Sequence, residues 1–172
     1  MRTLTFSFLL LLGLLVPGQS AAQASDNELI DRASDAVRGY VHFGIFDDVE
    51  ITVVNRQATL TGRVTMPYKR NDIGERVARV DGIRGVENKI EVLPASMSDD
   101  GLRTRIARRI YSNPSFWQYA SMANPPIHII VERGRVTLTG CVNSEVERTL
   151  AYALAQVEGN FGVTNRLKLD AK

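Results

Sequence analysis

A six-residue motif occurs twice, and its recurrence limits what this chain can fold into more than any other feature. Thr59-Leu60-Thr61-Gly62-Arg63-Val64 returns as Thr137-Leu138-Thr139-Gly140-Cys141-Val142. Ile51 and Val53 lie upstream of the first copy at the offsets at which Ile129 and Val131 lie upstream of the second. Downstream, Gly85-Val86-Glu87-Asn88-Lys89-Ile90 matches Gly162-Val163-Thr164-Asn165-Arg166-Leu167 after a slip of one residue. Ordered motifs at one spacing mean duplication of a structural unit. The segment Pro94-Ala95-Ser96-Met97-Ser98 has the composition of a short linker between the copies.

Each copy reads the same way. Ser25-Asp26-Asn27-Glu28 has the form of a capping box, and Leu29, Ala33, Val37 and Val41 follow at helical spacing. In the second copy a helix is predicted from about Asp99, with Leu102, Ile106 and Ile110 as its buried stripe and Asn113-Pro114 as its stop. Alternating stretches then predict β-hairpins: 50–54 with 58–64, joined by Asn55-Arg56-Gln57, and 127–132 with 135–142, joined through Arg133-Gly134. Ala58, Leu60, Gly62 and Val64 share one strand face, as do Val136, Leu138, Gly140 and Val142, leaving the threonines on the other. A second helix (69–80 and 145–157) and a last strand (89–93 and 166–169) complete each unit. The predicted class is α+β: two tandem αββαβ modules, each a three-stranded mixed sheet with two helices on its apolar face. Units of about 70 residues are small for independent stability, which favours packing of one copy on the other.

The N-terminus has the order of a secretory signal peptide: Arg2, an apolar run from Leu4 to Val16, then Ala22-Gln23-Ala24 before Ser25. The apolar run is shorter than the roughly 20 residues a membrane-crossing helix needs. Cleavage is expected after Ala24, and no cysteine follows the run to carry a lipid. The predicted division is a signal peptide over 1–24, a first module over 25–95 and a second over 97–170. A soluble periplasmic protein is the expectation. The lone Cys141 allows no intramolecular disulfide and no cysteine metal cluster.

A helix, then I-x-V-x-x-x-x-x-x-L-T-G-x-V, then a helix ending in G-V-x-N-x-[LI]-x-[VL], resembles the BON domain, and does so twice across the expected mature chain. The second copy follows the pattern more closely, through Pro125 to Val131, Gly134, Val136 to Gly140 and Gly162 to Asn165. In the first copy Arg56 stands where the family usually has glycine, leaving the turn geometry open, and Gly74 falls inside the second helix. The resemblance implies an envelope location, no known catalytic residues, and a role in binding phospholipid surfaces, often under osmotic or envelope stress. Some members are described as periplasmic chaperones.

The chain carries 21 Lys and Arg against 19 Asp and Glu, so overall charge singles out no polyanionic partner, nucleic acid included. The charge is uneven, however: residues 25–98 hold 10 basic and 12 acidic side chains, and residues 99–172 hold 10 and 7. At about 100° per residue, Arg105, Arg108 and Arg109 lie along one shoulder of the Leu102-Ile106-Ile110 stripe and Arg103 near its other edge. The planar guanidinium fork suits phosphate. Tyr111, Phe116, Trp117 and Tyr119 follow closely, and basic residues beside Trp and Tyr are the chemistry of a membrane interface. Arg103, Arg105, Arg108, Arg109, Phe116 and Trp117 are therefore the candidate lipid-binding residues, and the partner is an anionic phospholipid surface or an envelope protein. A solvated helix face beside core aromatics has the same sequence pattern.

No catalytic residues, cofactor, metal site or small-molecule substrate are indicated. His42 and His128 lack metal-ligand spacing, Asp47, Asp48 and Glu50 lack the oxygen-rich loop of a calcium site, and no phosphate-loop, dinucleotide or nucleophile-elbow motif occurs. Gly62 and Gly140, inside strands, are read as points of close backbone or helix approach. Cys141, between two inward positions, is expected on the outer sheet face.

Overall fold

The computed structural model describes residues 24–170. The signal-peptide reading, apart from Ala24, falls outside them.

Helix α1, Asp26–Arg38, starts on the expected capping box: Ser25 Oγ accepts from Glu28 N–H, and Glu28 reaches back to Ser25 N–H. Leu29, Ala33 and Val37 are buried along it, but the helix ends at Gly39. The chain then leaves the helical path, so Tyr40 turns into the core while Val41, expected in the stripe, is 82% exposed. Strands β1 (Asp48–Val54) and β2 (Gln57–Val64) form the hairpin, and α2 (Pro67–Ala78) returns over it. Next come β3 (Gly85–Asn88) and β4 (Glu91–Val92), both parallel to β2. The second module repeats this with α3 (Met97–Tyr111), β5 (Ile127–Glu132), β6 (Arg135–Val142), α5 (Glu145–Ala155), β7 (Val163–Asn165) and β8 (Lys168–Leu169). A 3-10 turn at Pro114–Phe116 and a short helix α4, Trp117–Ala120, are inserted after α3. Helix α3 starts before Asp99, because the Ser96 hydroxyl caps Asp99 N–H.

The last strand position begins at Gly85 and not at Lys89 as predicted, and it is broken in two. The asparagine of each Gly-Val-x-Asn motif makes the break. Asn88 Oδ1 accepts from Ile90 N–H at 3.1 Å and its Nδ2 donates to Arg70 O at 2.7 Å; Asn165 does the same to Leu167 and Arg148 at 3.1 and 2.9 Å. One amide side chain interrupts the strand and clamps it to the second helix. A Cβ on Gly74 would lie 2.6 Å from Asn88 Nδ2, so the glycine inside α2 makes room for that clamp.

The hairpin turns answer the question left by Arg56. Asn55 and Arg56 have φ of 52° and 66°, as Arg133 and Gly134 have 50° and 73°, so both modules use the same left-handed two-residue turn. A carboxylate holds each turn: Asp26 accepts from Asn55 and Arg56 N–H at 2.8 and 3.1 Å, and Asp99 from Arg133 and Gly134 N–H at 2.8 and 2.9 Å. Two charge-assisted bonds offset the cost of about 1–2 kcal/mol for a non-glycine residue in this region.

Each module has its own apolar core between its sheet and its helices. The first is built on Leu29, Leu60, Val64, Ile73 and Val77, the second on Leu102, Ile106, Phe116, Ile129 and Leu138. The outer sheet faces are turned toward one another across a polar cleft of about 370 Å³. Glu50, Thr61 and Arg63 line one side and Ile130, Thr137 and Thr139 the other. The outer face of the second sheet is thus less open than the alternation implied: Ile130 and Thr139 are buried. Cys141 is half-buried on this face, as expected. Ion pairs Arg63–Glu132 at 3.3 Å and Glu50–Lys168 at 3.8 Å cross between the modules.

The loop before β1 joins the modules more firmly. Ile45 C=O accepts from Ile129 N–H at 2.7 Å, Phe46 packs on the second core, and Phe43 lies 5.4 Å from the His128 ring. Asp47 anchors this strap. It is fully buried, and it accepts from Gly44 N–H (3.0 Å), Thr65 N–H (2.8 Å), Thr65 Oγ1 (2.9 Å) and Lys69 Nζ (2.7 Å).

Burial also governs the tyrosines. Tyr40 donates to Asp72 and Tyr119 to Glu147; burial first, then the neighbouring carboxylate, raises each from the ordinary 10 to about 12. A pKa raised on folding contributes stability that is complete below the unfolded value and lost as pH rises through the folded one. The fold is therefore expected to weaken between pH 10 and about 12, with phenolate absorbance of these groups appearing together with loss of circular dichroism. Complete phenolate formation with the dichroism unchanged would contradict this.

Candidate functional site

Helix α3 carries the four candidate arginines, and the 3-10 turn and α4 that follow it carry Phe116 and Trp117. Leu102, Ile106 and Ile110 are buried against the second sheet. Arg105, Arg108 and Arg109 stand exposed on the shoulder away from that stripe. Arg105 Nη2 donates to Glu158 O at 3.2 Å and Arg109 Nη1 to Gln156 O at 3.3 Å. Each uses one donor to tie down the chain leaving α5, and the rest of its guanidinium fork is free. The side chain of Arg108 has no polar partner among the described residues, and none of the described ion pairs involves these three arginines. Together with Val157 and Glu158 they line an open basic cleft of about 580 Å³.

Two of the six do not belong to this surface. Arg103 is only 4% exposed: it pairs with Asp100 and donates from Nη2 to Val131 O at 2.5 Å, tying α3 to β5. Phe116 is fully buried, with its ring stacked 6.0 Å from that of Tyr119. Both are corrections to the sequence reading. The aromatic edge at Phe116 packs inward because the 3-10 turn after Asn113 rolls it under α3, while the next residue rolls out.

Trp117 is that next residue, 62% exposed, with Nε1 donating to Ser112 O at 3.3 Å. This bond holds the indole at the C-terminal end of α3, one turn beyond Arg108. Tyr111 and Tyr119 face inward instead; Tyr111 donates to Ile127 O at 2.5 Å, and burial pushes its hydroxyl well above the ordinary range. Sequence reasoning passed over Phe161, 76% exposed beside Gly134, which stands outside any amphipathic helix and left no periodic signal.

Two copies of one α+β unit, each with its helices on one face of its sheet, and one of them carrying a basic helix face without ion pairs among the described residues, define a tandem two-module protein. The chain belongs to the BON domain family, whose sequence profile matches residues 25–94 and again 98–171. No curated protein matches the chain. Among solved structures it is similar to CdsD, a structural protein of the type III secretion system of Chlamydia trachomatis. That likeness has 15% identity and a TM-score of 0.30 over 83% of this chain and 92% of the other. The C-terminal domain of CdsD matches at 13% identity and a TM-score of 0.31, over 86% of this chain and all of that one.

Proposed function

We propose that this is an exported, non-enzymatic envelope protein that attaches to anionic phospholipid surfaces through Arg105, Arg108 and Arg109, with Trp117 seated at the interface. One observation carries the reading: three exposed arginines without carboxylate partners among the described residues stand on one helix shoulder that ends at an exposed tryptophan. Guanidinium groups with free donors suit lipid phosphates, and an indole is favoured at headgroup depth. Family membership and the signal-like N-terminus support the envelope location.

Co-sedimentation with phosphatidylglycerol and phosphatidylcholine vesicles over a salt series tests it. Binding is expected only to the anionic vesicles and is expected to weaken as salt rises. Each basic residue near an anionic surface contributes about 1 kcal/mol, so R105A/R108A/R109A is expected to bind roughly 100-fold more weakly. R103A, in contrast, exposes no lost lipid contact: it leaves Val131 O unsatisfied, costing about 1–3 kcal/mol of stability, with vesicle affinity of the folded protein unchanged. Equal retention on neutral and anionic vesicles at low salt would overturn the proposal.

A second reading, a protein-holding adaptor, is favoured by one observation: the Ile45 carbonyl takes the Ile129 N–H on the edge of β5, and among the described residues no backbone group takes the Ile51 N–H on the equivalent edge of β1.

A further inference from the structure

Helix α5 turns apolar side chains to solvent. Its buried positions are Ala151 and Ala155. At about 100° per residue, Leu150, Val146 and Ala153 lie within about 60° of one another on one shoulder of that buried line, with Thr149 next to them. Leu150 is half-buried against the second core, Thr149 and Ala153 are exposed, and Val146 is 75% exposed. With Glu145 these residues line a shallow trough of about 500 Å³. The charge at its end is already met, since Glu145 pairs with Arg148 at 2.8 Å.

This shoulder faces α3. The opposite shoulder carries Arg148 and Tyr152, and Asn165 Nδ2 donates to Arg148 C=O from the side of the last strand. Just past the end of α5, Val157 lines the basic cleft with Arg105, Arg108 and Arg109. Arg105 and Arg109 bond the carbonyls of Glu158 and Gln156 there. At the other end of the pair Tyr119, beyond α3, donates to Glu147 in the first turn of α5. The two helices are therefore antiparallel neighbours. The basic shoulder of one and the apolar shoulder of the other border the same groove, and they meet at Val157.

The charge beside the stripe selects what covers it. A second copy docked by two-fold symmetry would lay the patch on itself and bring arginines against arginines. An anionic bilayer complements both walls at once: phosphates lie at its surface, and the acyl boundary that takes an apolar helix face lies about 5–10 Å below.

We infer that α5 is a second membrane-contacting helix, whose Val146 and Ala153, with Leu150 behind them, enter the acyl boundary while the arginines of α3 hold phosphates. Both helices then lie along the bilayer surface. This rests on the arginine reading proposed above and extends it from an electrostatic contact to partial insertion.

The test compares V146E, Y152E and T149L with the wild type by co-sedimentation on phosphatidylglycerol vesicles at low salt. V146E and Y152E place the same charge on the same helix, but on opposite shoulders. V146E is expected to bind at least about tenfold more weakly, and Y152E to stay within about threefold of the wild type. T149L widens the stripe and is expected to bind about fivefold more tightly, a gain that no folding defect produces. V146E should still prefer phosphatidylglycerol to phosphatidylcholine, a preference that R105A/R108A/R109A should lose. Equal affinities of V146E and Y152E, with no gain in T149L, would overturn the inference and leave the arginine reading standing. No retention of the wild type on phosphatidylglycerol vesicles would overturn both. A wild-type dimer by light scattering that V146E converts to a monomer would assign the stripe to a second copy and overturn its assignment to the membrane.

Discussion

Asp47→Ala is expected to lower stability by about 3–5 kcal/mol, the range for removing one partner of a buried ion pair. The carboxylate is fully buried and accepts four hydrogen bonds, so its loss strands two backbone N–H groups, the Thr65 hydroxyl and the nearly buried ammonium of Lys69. For a chain of this size that corresponds to a fall in Tm of roughly 6–20 °C. Asp47→Asn keeps one acceptor oxygen and is expected to fall between. Because Asp47 N–H and Oδ2 both hold Gly44, the effect should reach the second module: exchange of the Ile129 amide, bonded to Ile45, is expected to accelerate. Thermal unfolding of the variants together with amide exchange checks both parts. A loss below about 1 kcal/mol would mean that the carboxylate is not acting as a buried anchor.

Gly140→Ala is expected to be nearly as damaging, at about 2–6 kcal/mol, combining strain of a non-glycine backbone with overpacking. Gly140 has φ of +100°, and a Cβ there would lie 1.8 Å from the Pro126 carbonyl oxygen. That oxygen accepts from Cys141 N–H at 3.2 Å, so the backbone cannot retreat without breaking the strand's last bond. Gly62 repeats the arrangement against Asp48 O at 2.2 Å. Gly162→Ala is the control: its φ is +135° but nothing lies within 4 Å of the added carbon, so only the conformational cost of about 1–3 kcal/mol remains. Equal losses in G140A and G162A, measured by denaturant unfolding, would refute the close approach.

Periodicity made most of the architecture legible. The hairpin of 127–132 with 135–142 lies where alternation put it, and Leu102, Ile106 and Ile110 form the buried stripe. Part of the candidate site was legible for the same reason: the phase of α3 sets Arg105, Arg108 and Arg109 on the shoulder that remains exposed. Arg103 escaped that logic because helix phase placed it only at the stripe's edge. What buries it is the Val131 carbonyl, 28 residues away. Phe116 and Trp117 have neighbouring positions and similar chemistry, and only the 3-10 turn between them and α3 decides which one enters the core.

The sequence by itself determined the duplication, which the recurring motif records, and the αββαβ order of each copy and the core-facing side of its hairpin strands, which follow from spacings of two to four residues along the chain. Tertiary structure alone decided that the sheets meet outer face to outer face, that Asp26 and Asp99 hold the hairpin turns, that Asp47 is an internal anchor, and that the Ile45 carbonyl takes the Ile129 N–H at the edge of the second sheet. Each of those outcomes depends on a polar group meeting a partner distant in sequence. Local hydrophobic patterning carries no record of such a meeting, because a carboxylate or backbone N–H looks the same along the chain whether water or a buried donor completes it.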